Sequence, residues 1–326
     1  MRTGIWLGCA VLCVWPSVDA LCAERLEAVS IPSRKPLPVQ VFILAGQSNM
    51  EGHGQVQADE RRNGGQGSLE FLVRDPRTQK RFQHTRDSQG RWRIRDDVWI
   101  WYLGRHGGLT VGYGARKNRI GPEFQFGHVI GDRLPHPVVI IKTAWGGKSL
   151  HRDFRPPSAG GEVGPFYRQM IDHIQEVLRD LKKVWPDYDG RPYEIAGFGW
   201  HQGWNDGLKI ERVREYEQNL THLIHDLRRA LQVADLPVVI AVSGFGGRNQ
   251  KNERRLGIMR AQLAVARRPE FQGRVVAVET RDFFREANVS PSRQGYHWNG
   301  NAETYFLIGD AMGQAMLKLM PPQEPN

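Results

Sequence analysis

The sequence predicts an α/β protein in which helices cover both faces of a mostly parallel sheet. Three observations predict it. Five short apolar runs rich in β-branched residues lie at 39–46, 138–143, 195–200, 237–242 and 275–278, and each has the length of a buried strand. Longer segments between them place apolar residues at helical spacing. Candidate polar residues cluster just past the ends of the runs, which in an open parallel sheet is the edge where ligands bind.

In chain order, the amino terminus has targeting character. Arg2 precedes an apolar run from Ile5 to Trp15, and Val18-Asp19-Ala20 offers small residues for cleavage. Residues 1–23 therefore read as a secretory signal peptide, too short for a membrane span, and a secreted or periplasmic protein is expected. Cys9, Cys13 and Cys22 all fall in or beside this segment. The mature chain would thus lack an internal disulfide and rely on a packed core, which a chain of this size can supply. Residues 24–38 are polar, with Pro32, Pro36 and Pro38, and read as a linker. The folded domain is expected over 39–320, with a tail at 321–326.

After the first strand the chain is irregular to about residue 120. Gly64-Gly65-Gln66-Gly67 and the stretch from Arg86 to Trp92 resemble turns, and 98–103 reads as a strand. We read 58–120 as an insertion of β-hairpins. Its Trp and Arg residues could stack on sugar rings or cover the sheet, and covering is the favoured reading. From Gly121-Pro122-Glu123 a regular rhythm begins, with proline in a first helical turn where its missing N–H costs nothing. Apolar stripes predict helices over 167–185, 213–231, 254–266 and 302–319. Asn301 is the expected cap of the last one.

The formal net charge is +10. Basic pairs at Arg61-Arg62, Arg228-Arg229, Arg254-Arg255 and Arg267-Arg268 are scattered, as on a solvated surface. No helix-turn-helix, zinc-finger or aromatic-basic RNA motif accompanies the charge, so nucleic acid is not an expected partner. An acidic polysaccharide or a negative cell envelope suits it better. No second long apolar run suggests a membrane span.

Four stretches carry candidate chemistry. Ser48, in Gly46-Gln47-Ser48-Asn49-Met50, sits just past the first strand as a candidate nucleophile. Gly146-Gly147, after the 138–143 strand, could present backbone N–H groups to a developing oxyanion. The following Gly147-Lys148-Ser149 copies the end of a phosphate loop, but Lys142 stands where that loop needs glycine. Gln202, in Trp200-His201-Gln202-Gly203-Trp204-Asn205-Asp206, offers a side-chain amide donor, while His201 reads as structural. His297, before the last helix, is a candidate base for Ser48. No His-Glu-x-x-His or comparable cluster occurs, so neither metal nor other cofactor is expected.

Together, Gly46-Gln47-Ser48-Asn49-Met50, Trp200-His201-Gln202-Gly203 with Asp206, and Gly121-Pro122-Glu123 resemble the SGNH hydrolase superfamily, in its sialate O-acetylesterase and acetylxylan esterase branch. The resemblance spans about 39–319. It implies a three-layer α/β/α, flavodoxin-like fold with a central, mostly parallel five-stranded sheet. It also implies metal-free removal of O-acetyl groups from carbohydrate. By position, Ser48 matches the nucleophile and His297 the base. The backbone N–H of Ser48, the Gly146-Gly147 block (Gly147 as donor) and Gln202 match the oxyanion hole. Two positions depart from the branch. Trp204 stands where a glutamate is usual, and Gln294 where an acid would orient the histidine. Gln294 itself, Asp282, Glu303 or a main-chain carbonyl could orient His297 instead. The expected function is a secreted serine esterase acting on acetylated oligo- or polysaccharide. The alternative is a catalytically weakened carbohydrate-binding protein on the same scaffold.

Overall fold

The computed structural model describes residues 36–321 together with Met1, Thr3 and Gly4. The expected cleavage site, most of the linker and nearly all of the tail lie outside the described residues.

The central sheet is built on strand β1 (Val39–Gly46), whose eight residues are all buried. Side chains alternate across a strand. Val39, Val41, Ile43 and Ala45 enter one core, and Phe42 and Leu44 the other. A two-sided apolar strand of this kind belongs in the middle of a sheet covered on both faces. Residues following β1 form a single helical turn, α1 (Ser48–Glu51). Strand β2 (Gly54–Gln55) pairs antiparallel with β5 (Arg119–Ile120) in a small separate sheet. Between them lie helices α2 (Leu69–Arg74) and α3 (Gln79–Phe82) and strands β3 (Val98–Tyr102) and β4 (Arg105–Gly108). Helix α4 (Pro122–Gly131) then leads to β6 (Val138–Ala144), α5 (Pro165–Arg179) and β7 (Tyr193–His201). The chain continues through α6 (Ile210–Leu231), β8 (Val238–Ala241), α7 (Glu253–Val265), β9 (Val275–Val278) and α8 (Ala302–Leu319).

The main sheet has seven strands in the order β4-β3-β6-β1-β7-β8-β9. All neighbours pair parallel except β3 and β4. This corrects the expected five strands and the reading of 58–120 as hairpins alone. Strand β3 does form a hairpin with β4, but it also pairs parallel with β6, so that the hairpin extends the main sheet. Val98, Ile100 and Tyr102 join one core and Trp101 the other, so both of its faces are buried. The rest of the segment is partly helical. Val56, Leu69, Leu72 and Phe82 close over Ile120, Phe124, Ala302 and Phe306. Arg86 stacks on Trp92 with its guanidinium carbon 3.3 Å from the ring centre. Much of the segment covers α4 and the start of α8.

Helices α5, α6 and α7 line one core, while α4 and α8 line the other. Helix α8 approaches α4 closely because glycine permits it. A Cβ at Gly309 would lie 2.2 Å from the Pro122 carbonyl oxygen. The expected helix over 167–185 ends earlier than its apolar pattern, at Arg179, and resumes as a short 3-10 turn at Leu181–Lys183. Asn301 caps α8 as expected, its side chain accepting from the N–H groups of Glu303 and Thr304.

Candidate active site

Parallel strands β6, β1 and β7 end together, with Gly46 in register with Ala144 on one side and His201 on the other. That register carries Ser48, the Gly146-Gly147 block and Gln202 to one edge of the sheet. Glycine is required at the end of β1, since a Cβ on Gly46 would lie 2.2 Å from the His201 carbonyl oxygen. Ser48 keeps 8% of its surface exposed at the start of α1.

His297 lies 249 residues beyond Ser48 in the chain, yet three hydrogen bonds tie its turn to that of the serine. The Asn49 amide donates to the Tyr296 carbonyl oxygen at 3.0 Å. Tyr305 Oη, on α8, donates to Asn49 Oδ1 at 2.9 Å and lies 3.3 Å from the His297 carbonyl oxygen. Residues adjoining Ser48 and His297 are thus clamped together, although the two side chains form no hydrogen bond with each other in this structure. Such bonds are often loose before substrate binds.

The His297 turn, Gly295–Gly300, is broken at His297, Trp298 and Asn299. Trp298 has φ 51° and Asn299 φ 56°, the left-handed region that bulky residues avoid. Each such residue costs of order 1–3 kcal/mol. Burial of the Trp298 ring beside Phe245 and Phe284 offsets this. So does the Asn299 amide, which donates to the Arg285 carbonyl oxygen at 2.9 Å.

None of the expected orienting residues reaches the imidazole. Asp282 is held by the Arg248 guanidinium at 2.8 and 2.7 Å. Glu303 is held by Arg81 and Arg285. Gln294 contributes its main chain, its carbonyl oxygen accepting from the N–H groups of His297 and Asn299. The turn fixes backbone rather than placing a carboxylate, and His297 Nδ1 is buried without a hydrogen-bond partner among the described residues. Burial lowers the His297 pKa from 6.5 to about 4.

Gln202 also departs from expectation. Its Nε2 lies 3.1 Å from Gln47 Oε1, 2.9 Å from the Lys148 carbonyl oxygen and 2.6 Å from Asp206 Oδ2. An amide nitrogen carries two protons, so these three acceptors leave none for an oxyanion. The amide oxygen accepts from Tyr216 Oη at 2.9 Å. Gln202 therefore acts as a buried joint between the ends of β1, β6 and β7. Asp206 strengthens it, accepting from the N–H groups of Leu150 and His151 at 2.9 and 2.8 Å. His201 is fully enclosed, its Nδ1 3.1 Å from the Ala241 carbonyl oxygen.

Behind the glycine block lies a buried ionic cluster that the sequence reading missed. Lys142 Nζ donates at 2.7 Å to Glu123 Oε2 and to the carbonyl oxygens of Glu51 and Tyr113. Both Lys142 and Glu123 are almost wholly enclosed; desolvation pushes the lysine down and the glutamate up. Glu51 accepts from Tyr102 Oη at 3.3 Å. Gly147 is fixed through its carbonyl oxygen, which accepts from the Asn205 amide. Neither the Gly146 nor the Gly147 N–H donates to an acceptor among the described residues.

Two further residues missed from sequence flank His297. The His53 ring stacks on it with centres 3.7 Å apart and planes 8° from parallel. Tyr296 meets it edge-on at 4.5 Å. Tyr296 is 39% exposed and lies 5.4 Å from Trp204. Trp204 in turn carries the Arg255 guanidinium at 3.9 Å. The aromatic content of these segments was visible, but their meeting was not.

A serine turn, a histidine turn and a glycine block meet at one sheet edge, an arrangement compatible with acyl transfer. The family described as carbohydrate esterase, sialic acid-specific acetylesterase, matches residues 38–318. The chain belongs to this family. It is a carboxylic ester hydrolase of the carbohydrate acetylesterase kind, and its substrate class is acetylated carbohydrate. A probable carbohydrate esterase of Arabidopsis thaliana is 28% identical over 224 residues, 68% of this chain and 76% of the relative. The X-ray structure of an Arabidopsis thaliana protein matches with TM-score 0.55 at 20% identity, covering 86% of this chain and 98% of the other. The crystal structure of NanS matches with TM-score 0.54 at 12% identity, covering 87% and 98%. At these identities the structural likenesses speak for the α/β fold. No helix among the described residues is long and apolar enough to cross a membrane.

Proposed function

We propose that this acetylesterase works through a Ser48 acyl-enzyme with His297 as general base. His297 takes the Ser48 proton as Oγ attacks the acetyl carbonyl carbon. The backbone N–H groups of Ser48 and Gly147 receive the oxyanion. His297 then returns the proton to the departing sugar oxygen, and water, activated by the same imidazole, releases acetate and frees Ser48. The observation that carries this reading is the clamp of Asn49 and Tyr305, which joins the serine turn to the histidine turn.

The finer substrate proposed is an acidic acetylated glycan. Arg255 has no ion-pair partner among the described residues and lies on Trp204, next to Tyr296 and His297. Beyond the other end of the histidine turn, Arg61, Arg62 and Arg293 line a cleft of about 390 Å³. An aromatic wall with a cation at its end suits a sugar ring bearing a carboxylate. The leader pattern at 1–23 supports export of the enzyme.

Ser48→Ala is expected to abolish acetate release from acetylated sugar and labelling by a fluorophosphonate probe. Retained hydrolysis in that variant overturns the mechanism. A wild-type protein that binds acetylated glycan but neither hydrolyses it nor takes the label is the catalytically weakened binder, the reading favoured by the unpartnered His297 Nδ1.

A further inference from the structure

We infer that His53 is a positioning residue for His297, its ring face taking over work that a carboxylate would do in a triad. The inference rests on the proposed Ser48–His297 mechanism. When His297 accepts the serine proton it becomes an imidazolium, and that charge needs a partner. No carboxylate supplies one: Asp282 and Glu303 are engaged by arginines, and His297 Nδ1 meets no acceptor among the described residues. What does lie against the ring is the face of His53, at 3.7 Å and nearly parallel. A stack of that kind fixes the plane of the imidazole. It also places the new cation over a π-face, where it is attracted.

This works only while His53 is neutral. Burial, His297, Arg119, Lys142 and Arg116 all oppose a charge on His53 and lower its pKa to about 3. Its Nε2 is buried and makes no hydrogen bond among the described residues, and the ring meets His297 through its face. Chain geometry holds it there. His53 follows α1 directly, so the turn bearing the nucleophile also carries the platform for the base. Tyr296, the other ring touching His297, meets it edge-on and is partly exposed, so it does not duplicate the stack.

The test compares His53→Ala with His53→Phe, which keeps an aromatic face and cannot titrate. For acetate release, His53→Ala is expected to lower kcat about tenfold with KM within about twofold, and His53→Phe to stay within about threefold of wild type. A second readout needs no turnover: the NMR shifts of the His297 ring protons, which a stacked aromatic face displaces. His53→Ala should remove that displacement and His53→Phe should retain it. An unchanged kcat in folded His53→Ala, equal losses in both variants, or ring-proton shifts that His53→Ala leaves unmoved overturn the inference. Failure of the parent mechanism shows separately, as wild-type protein without hydrolysis or fluorophosphonate labelling.

Discussion

The enzyme is expected to keep its activity far into acid. As the proposed base, His297 must be neutral to take a proton, and burial lowers its pKa from 6.5 to about 4. A depressed value leaves the neutral form in place above it, so activity persists down to that range and falls away as pH drops through about 4. At pH 5.5 an ordinary imidazole would be neutral in roughly one molecule in ten, whereas a group titrating near 4 would be neutral in roughly 97%. The acid limb of kcat/KM, which reports the free enzyme, should therefore lie near pH 4 rather than 6.5, with about tenfold more activity at pH 5.5 than an ordinary histidine allows. Acetate released from an acetylated sugar, followed by NMR between pH 3.5 and 8, measures this without a pH-sensitive chromophore. Stability must be followed alongside, because the sign is the same. His53, His128, His201 and His297 all have folded-state values lowered by burial. Their contribution is fully present above the unfolded value near 6.5 and is lost as pH falls toward 3–4. An acid limb at 6.5 or above, in protein still folded, refutes the reasoning and implies a carboxylate or open water at the ring.

Three other perturbations separate structural from chemical roles. Gln202→Ala should lower the melting temperature by several degrees, since it strips a donor from Gln47, Lys148 and Asp206 at about 1–3 kcal/mol per buried unsatisfied group; a direct oxyanion donor would instead cost about 10²–10³ in kcat with melting unchanged. Lys142→Met, which strands Glu123 as a buried carboxylate, should cost about 3–5 kcal/mol in urea unfolding, with much of it recovered when Glu123→Leu is added. An unchanged unfolding midpoint would show that the pair is not isolated from water. Arg255→Ala should raise KM severalfold for a uronic or sialic acid ester and leave a neutral acetylated sugar unaffected; equal effects on both would remove the anion-binding role.

Much of the scaffold was legible because its signals are local. The apolar run of β1 ends in a glycine that no larger residue could replace, and Asn301 caps α8 by chemistry confined to three residues. Strand β3 was seen as a strand but assigned to the wrong layer. Its neighbours in sequence are irregular, and only its pairing with β6 reveals that both faces are buried. Gln202 misled for a related reason. An amide at a strand end has donors to offer, but whether they remain free depends on Gln47, Lys148 and Asp206, which come from three separate segments.

By itself, then, the sequence determined the strand–helix alternation, the edge at which chemistry would collect, and the identities of Ser48 and His297 as candidates for it. Those follow from periodicity and from residue types next to chain breaks. Tertiary structure alone decided the width of the sheet, the occupation of Gln202, and the stacking of the His53 ring on His297. Each of these is a contact between distant parts of the chain, and the pairing of strands and stacking of rings are set by how the whole core closes, which no local pattern encodes.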